Sequence, residues 1–262
     1  QYAFYQVELS RRAEYRFKME QGLREAIEKE ELTLVYQPQI DVHTNEIFGF
    51  EALARWNHTS LGAISPIEFI PIIERIVFTA CKQAVAWKKF NKSAFKMSVN
   101  ISPKYFLDKE MVPLIKETID VTGILASDLV LEVTESVVQT DTRNLSVFQS
   151  LKELGVSIAI DDFGIGYSSF ASLKHLTVDH LKIDKYFIDE ILTDLKVRFL
   201  VKSMIELGQH MEYGIVVEGV ETKEQLVVLE ELGCEIVQGY FFSKPIESEN
   251  VLEYFSKIKE EN

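Results

Sequence analysis

The chain has 262 residues, 47% of them apolar, with 28 Lys and Arg set against 41 Asp and Glu for a formal charge of −13. That composition excludes a disordered, collagenous or low-complexity chain, and the surplus of carboxylates argues against a duplex nucleic-acid partner, whose phosphates call for a basic surface. An anionic substrate stays open if metal ions stand between it and the protein.

In chain order, residues 1–19 read as a linker or lead-in, and Tyr15 to Glu31, charged and rich in helix formers, as an exposed helix. Apolar, β-branched runs then alternate with amphipathic segments, the pattern of βα units around a largely parallel sheet. The expected strands are Leu32–Ile40, Ile47–Arg55, Phe95–Ile101, Leu129–Glu135, Val156–Asp162, His180–Asp184, Ile215–Val220 and Ile236–Phe241. The expected outer helices are Asp108–Thr122, Arg143–Leu154, Asp189–Met211, Lys223–Leu232 and Glu247–Lys259. Eight strands suit a closed barrel of about 250 residues. The first two, parted only by DVHTN, are too close for a helical crossover and are expected to pair antiparallel. The expected fold is therefore α/β, an irregular TIM-type (β/α)8 barrel with an antiparallel first strand, occupying residues 20–262 as one domain.

No apolar run approaches the roughly 18 to 20 residues that span a bilayer, and the first residues lack the apolar segment of a signal peptide. A soluble piece is expected, and a start at Gln1 fits a fragment whose parent is free to be membrane-anchored. The two cysteines, Cys81 and Cys234, lie far apart and outside any CxxC or zinc spacing. They read as apolar core residues of a reducing, cytoplasmic compartment.

The informative residues are the polar ones that interrupt the strands: Glu51 in FGFEALARW, Asn100 in MSVNIS, Glu132 in LVLEVTES, Asp161 and Asp162 in SIAIDDF, Lys182 in HLKID, Glu218 in IVVEGVE and Gln238 in IVQGYFF. A buried carboxylate costs several kcal/mol unless it is paired or metal-bound, and in a barrel such residues converge near the C-terminal rim. Carboxylates with one carboxamide oxygen are hard ligands suited to Mg²⁺ or Mn²⁺ more than to zinc. Adjacent Asp161 and Asp162 can bridge one ion and reach a second, a two-metal clamp for phosphoryl chemistry, with Lys182 supplying positive charge to a phosphate oxygen or the attacking water. Taken singly, each residue also has a structural reading: a salt-bridged strand glutamate, a strand-to-turn cap at Asp161-Asp162, a neutralising Lys182. Their joint placement, strand after strand, favours a shared site.

The ordered motifs YQPQI, EALARW, SPIEFIP, SVNIS, LEVTES, DDFGIGYSSF, LKIDKYF, VVEGVET and QGYFFSKP, from about Glu20 to Phe255, resemble the EAL domain family of cyclic di-GMP phosphodiesterases with an irregular TIM-type barrel. The resemblance implies hydrolysis of cyclic di-GMP to linear pGpG by a metal-activated water, in bacterial second-messenger signalling, with two Mg²⁺ or Mn²⁺ ions per active site. By position it implies that Glu51, Asn100, Glu132 and Asp161 hold one ion while Asp161 and Asp162 serve the second. Lys182 would stand near the nucleophilic water, and Glu218 would be either general base or a water-mediated partner of the second ion. Gln37, Arg55, Gln238 and Glu221 look like residues that line the substrate site, Arg55 being suited to phosphate.

Glu135 resembles the family's anchor for the loop Asp162 to Phe170, whose glycines and serines permit movement and which is implied to couple dimerisation to metal binding. Ile165 stands where the DDFGTGYSS pattern has threonine, so the loop lacks a hydroxyl but no metal ligand is removed. After SPIEFIP, IIERIVFTACKQ is shorter than the family's usual segment, around Glu74 to Val77. The resemblance further implies a homodimer, and the opening stretch is similar to the connector that follows a GGDEF domain, which implies a GGDEF or sensor domain in the parent chain. A second reading is a cyclic di-GMP receptor with weak or no catalysis, for which Ile165 is the support. A purely structural dimerisation domain leaves the polar strand residues without a purpose.

Overall fold

The computed structural model describes residues 32–58, 62–64, 73–90, 94–137, 142–166 and 177–261. The lead-in 1–31, the SPIEFIP segment and the loop beyond Gly166 lie outside the described residues.

The strands are β1 (Leu32–Asp41), β2 (Ile47–His58), β3 (Gly62–Ile64), β4 (Lys96–Ile101), β5 (Leu129–Thr134), β6 (Ser157–Phe163), β7 (His180–Ile183), β8 (Gly214–Val217), β9 (Ile236–Gln238) and β10 (Ile246–Glu247). The helices are α1 (Ile73–Phe90), α2 (Pro103–Phe106), α3 (Met111–Thr122), α4 (Thr142–Glu153), α5 (Lys185–Ile188), α6 (Leu195–His210), α7 (Lys223–Glu231) and α8 (Val251–Glu261). From β2 the sheet runs β4-β5-β6-β7-β8-β9 and closes through β1, which also pairs with β2. Neighbours from β2 to β9 are parallel, whereas β1 is antiparallel to both β2 and β9. This is the α/β barrel with a reversed first strand.

The β1–β2 turn is built by Asp41, whose Oδ1 accepts from the backbone N–H of His43 and Thr44 at 2.9 and 3.0 Å. Asn45 takes the left-handed conformation that its short polar side chain tolerates. The hairpin register, Gln37 opposite Glu51 and Tyr36 opposite Ala52, then fixes which side chains face the axis, since strand side chains alternate. Tyr36 and Phe50 face outward and meet the helices: the Tyr36 ring lies 4.6 Å from Trp87 of α1, and Phe50 lies 5.3 Å from Phe255 of α8. Gln37 and Glu51 are left to face inward.

Helix α1 is not among the expected elements, although its buried Ile73, Ile76, Val77, Ala80, Cys81, Ala84 and Trp87 keep helical spacing. Glu74 to Val77 form its first turn. Two short edge strands also go beyond expectation: β3 extends the β2 edge, and β10 pairs with β1. Because Ile246 and Glu247 belong to that strand, the last helix begins at Val251 and not at Glu247. The expected helix from Asp189 starts instead at Leu195, where the Asp194 carboxylate accepts from the N–H of Lys196 at 2.7 Å. Both cysteines are fully buried, and burial pushes each thiol up to about 12. No described helix is long and apolar enough to cross a membrane.

Candidate active site

Register carries the inward set round the barrel. Asn100 sits opposite Glu132, Thr134 opposite Asp161, Lys182 opposite Val216, and Gln39 opposite Gln238. At their centre is Lys182, 1% exposed. Its Nζ lies 2.5 Å from Glu132 Oε2, 2.7 Å from Glu218 Oε1, 3.3 Å from Asp161 Oδ1 and 3.5 Å from Glu51 Oε2. A second tier fixes Glu51: Asn100 Nδ2 donates to its Oε1 at 2.6 Å and Gln238 Nε2 to its Oε2 at 2.6 Å. Gln238 also donates to Gln37 Oε1 at 3.2 Å and accepts from Gln39 Nε2 at 2.9 Å. A buried carboxamide chain of this kind holds its acceptor in one rotamer.

One lysine cannot neutralise four carboxylates. Burial raises Glu132 well above the ordinary carboxylate range, with Lys182 opposing and Glu51 and Asp161 adding to the rise. Burial pushes Glu218 up to about 7 against the pull of Lys182, again with help from Glu51 and Asp161. For Lys182 burial acts downward, but the surrounding Asp161, Glu132, Glu218 and Glu51 outweigh it and hold the ammonium well above its usual value. Asp162 is raised by burial and then by Asp161 and Asp184.

The β6 end is irregular. Register with β7 shifts between Ile160 and Phe163, and Asp162 adopts φ 56°, the left-handed region. Its N–H donates to Asp161 Oδ1 at 3.1 Å, so the two adjacent carboxyl groups are carried on a bulge. Beyond it, buried Glu135 Oε2 accepts from the N–H of Gly164 at 3.3 Å and Gly166 at 3.2 Å.

Above the cluster lies a cavity of about 300 Å³, at the lower end of the size that holds small ligands. Expected residues on its lining are Gln37, Glu51, Asp161, Glu218, Glu221 and Gln238; Leu53, Lys185 and Tyr240 line it as well, along with Gly219 and Gly239. Gly239 is required by close approach, since a Cβ there would lie 2.0 Å from the Val220 carbonyl oxygen. Asn100, Glu132, Asp162 and Lys182 lie outside the lining, Glu132 and Lys182 forming its buried floor. Arg55 shares the inward parity of Glu51 and Leu53 but is not on the lining; its Nη1 donates to the Ala54 carbonyl at 3.0 Å. The strand parity that marks Glu51 also marks Leu53, and Lys185 stands three residues after Lys182 in LKIDK. Parity was thus a signal for Leu53, while Lys185, beyond the end of β7, had none.

Among the described residues, no three His, Cys, Asp or Glu side chains share a metal-ligating centre, because the carboxylates turn to Lys182. The donor set nevertheless fits hard divalent cations. It is all oxygen, and its charge exceeds what Lys182 supplies.

Comparison with known proteins agrees with this layout. The EAL domain family matches residues 20–245. The chain is 37% identical over 248 residues to the oxygen sensor protein DosP of Escherichia coli, covering 90% of this chain and 31% of DosP. It is 34% identical over 262 residues to MucR of Pseudomonas aeruginosa, a bifunctional diguanylate cyclase/cyclic di-GMP phosphodiesterase, covering 96% of this chain and 38% of MucR. The chain thus spans about a third of the length of these relatives. The structure of the PaMucR phosphodiesterase in complex with c-di-GMP superposes with TM-score 0.83 at 34% identity, over 89% of this chain and 99% of that one. The EAL enzyme Bd1971, bound to cAMP and cyclic di-GMP, gives TM-score 0.87 at 31% identity, over 95% and 71%. A reversed first strand, a lysine ringed by strand carboxylates and a family match across most of its length together place the chain in the EAL domain family.

Proposed function

We propose that the chain hydrolyses cyclic di-GMP to linear pGpG. The observation that carries this is the convergence of Glu51, Glu132, Asp161 and Glu218 on Lys182 beneath a single cavity, in a chain similar to a phosphodiesterase solved with that nucleotide. Glu51, Asn100, Glu132, Asp161 and Asp162 would hold two Mg²⁺ or Mn²⁺ ions. Bound ions of this type lower the pKa of water and offset phosphate charge. The chain's own part is orientation and proton handling. The carboxamides of Gln238 and Asn100 hold Glu51, and Lys182 keeps a fixed positive charge where phosphate charge develops. Glu218, whose carboxyl is pushed up to about 7 by burial, would accept a proton from the attacking water or serve the second ion through water. Gln37, Gln238 and Glu221 on the lining are the substrate-facing set, and Arg55 would join them only by leaving the Ala54 carbonyl.

The same proposal includes a cytoplasmic domain and a parent chain with a GGDEF or sensor domain, supported by the third of DosP and MucR that this chain covers. It also includes a homodimer, for which the exposed Leu195 and Phe199, one turn apart on α6, are suitable apolar surface; sedimentation equilibrium decides that part.

The test is chromatography of cyclic di-GMP incubated with the protein and Mg²⁺ or Mn²⁺, beside a chelated control and Glu51→Ala. Metal-dependent pGpG that disappears in both controls is the expected result. Saturable nucleotide binding without product would replace the hydrolase with the receptor reading that Ile165, 52% exposed on its loop, favours.

A further inference from the structure

Resting on the proposed hydrolase, we infer that Lys185 is the cation that receives a substrate phosphate at the cavity mouth, and that Glu221 acts by positioning it. Among the described lining residues Lys185 is the only cationic side chain, set against Glu51, Asp161, Glu218 and Glu221. A nucleotide with two phosphodiester charges approaching that wall is repelled by those four carboxylates, and Lys185 is the cation on the lining that offsets them.

The lysine is held for the task by several independent contacts. Asp184 caps α5 by accepting from the N–H of Tyr186 at 2.7 Å, which makes Lys185 the first helical residue. Its stem lies flat on Gly219, where an added Cβ would come within 2.4 Å of Lys185 Cβ. Its Nζ lies 2.6 Å from Glu221 Oε1 and 2.9 Å from Asp189 Oδ1. The partner is itself fixed from behind: buried Gln225 Oε1 accepts from the N–H of Glu221 at 2.8 Å, while Gln225 Nε2 donates to the Ile188 carbonyl at 3.1 Å. One glutamine therefore ties the Glu221 backbone to the helix that carries Lys185. An exposed ion pair ordinarily adds little to stability, and supports at both ends are more than a surface clasp needs. Glu221, an anion, then serves an anionic substrate through its hold on Lys185 and without direct phosphate contact.

The experiment compares wild type, Lys185→Met, Lys185→Arg, Glu221→Gln and the Lys185→Met/Glu221→Gln double variant. Steady-state kinetics on cyclic di-GMP is paired with calorimetric Kd for the same nucleotide in EDTA and with thermal melts. Loss of one charge-assisted hydrogen bond corresponds to about tenfold in affinity, so Lys185→Met is expected to raise KM and Kd about tenfold with kcat within about twofold. Arginine should restore most of the loss, and the double variant should be no worse than Lys185→Met alone. Unchanged KM and Kd in Lys185→Met with a lowered melting temperature would make the contact a structural clasp and overturn the inference. A Glu221→Gln penalty that adds fully to that of Lys185→Met would overturn the positioning role. Wild type that binds but does not cleave removes the hydrolase alone, the Kd series still deciding Lys185; wild type that neither binds nor cleaves removes both.

Discussion

Lys182 Nζ lies 2.5 Å from Glu132 Oε2, and each of the two side chains is only 1% exposed. Removing one member of a buried pair leaves the other charge unpaired, which costs about 3–5 kcal/mol, whereas removing both costs much less. Lys182→Met should therefore lower stability in urea melts by about 3 kcal/mol, with the Lys182→Met/Glu132→Gln double variant recovering only part of that, because Glu51, Asp161 and Glu218 still lack their cation. Turnover should be lost in both. Equal stability of Lys182→Met and wild type would mean that Glu132 simply takes a proton.

Gly239 offers a sharper packing test. A methyl group there would sit 2.0 Å from the Val220 carbonyl oxygen, a backbone atom, so Gly239→Ala must displace the chain that carries Gln238. A loss of about 3 kcal/mol or more is expected from such overpacking, read as an unfolding midpoint. Gly123, at φ 74° with nothing within 4 Å of the added atom, is the control: alanine there meets only the strain of the left-handed region, about 1 kcal/mol.

The described start of the loop after β6 is tethered to the Glu135 carboxylate. Glu135→Ala deletes the acceptor of the Gly164 and Gly166 amides, and the bulge at Asp162 loses its downstream tether. Hydrogen exchange at those two amides should quicken, and kcat should fall at least about tenfold for loss of the two anchoring charged hydrogen bonds. Faster exchange with unchanged kcat would separate the loop from the chemistry.

His180, at the opposite end of the barrel, predicts an acid limb in stability. Burial lowers its pKa from the ordinary 6.5, Asp179 opposing and Lys96 and Lys152 reinforcing, and its Nδ1 has no hydrogen-bond partner. Above pH 6.5 the ring is neutral in both folded and unfolded chains and adds no pH dependence. As pH falls below 6.5 the unfolded chain takes up the proton first, so the native state loses stability until pH reaches the lowered folded value. Relative to His180→Asn, wild type should weaken over that window in denaturant titrations. A constant difference from pH 8 to 5 would contradict the assignment.

Much of the site was legible because strand parity is strict. A carboxylate in an otherwise apolar strand has to face something, and Glu51, Glu132, Asp161 and Lys182 indeed face one another. The barrel followed from eight apolar runs alternating with amphipathic segments, and its reversed first strand from DVHTN being too short for a crossover. What escaped depends on contacts distant in sequence. Ile246 and Glu247 become a strand only because β1 offers them an edge, whereas the apolar face of α1 was there to be counted. Lys185 carries no strand signature, since its role comes from Glu221, 36 residues away. Arg55 shows the converse: its residue type suits phosphate, yet here its guanidinium is turned to the Ala54 carbonyl.

The reversed first strand has a consequence for wiring. Leu32, where β1 begins, lies opposite Trp56 near the C-terminal end of β2, on the same rim as the cavity. In an all-parallel barrel the first strand would start at the far end, with the whole fold between an upstream segment and the chemistry. Here β1 begins on the cavity side, and one continuous strand runs from Leu32 to Gln37, which lines the mouth opposite Glu51.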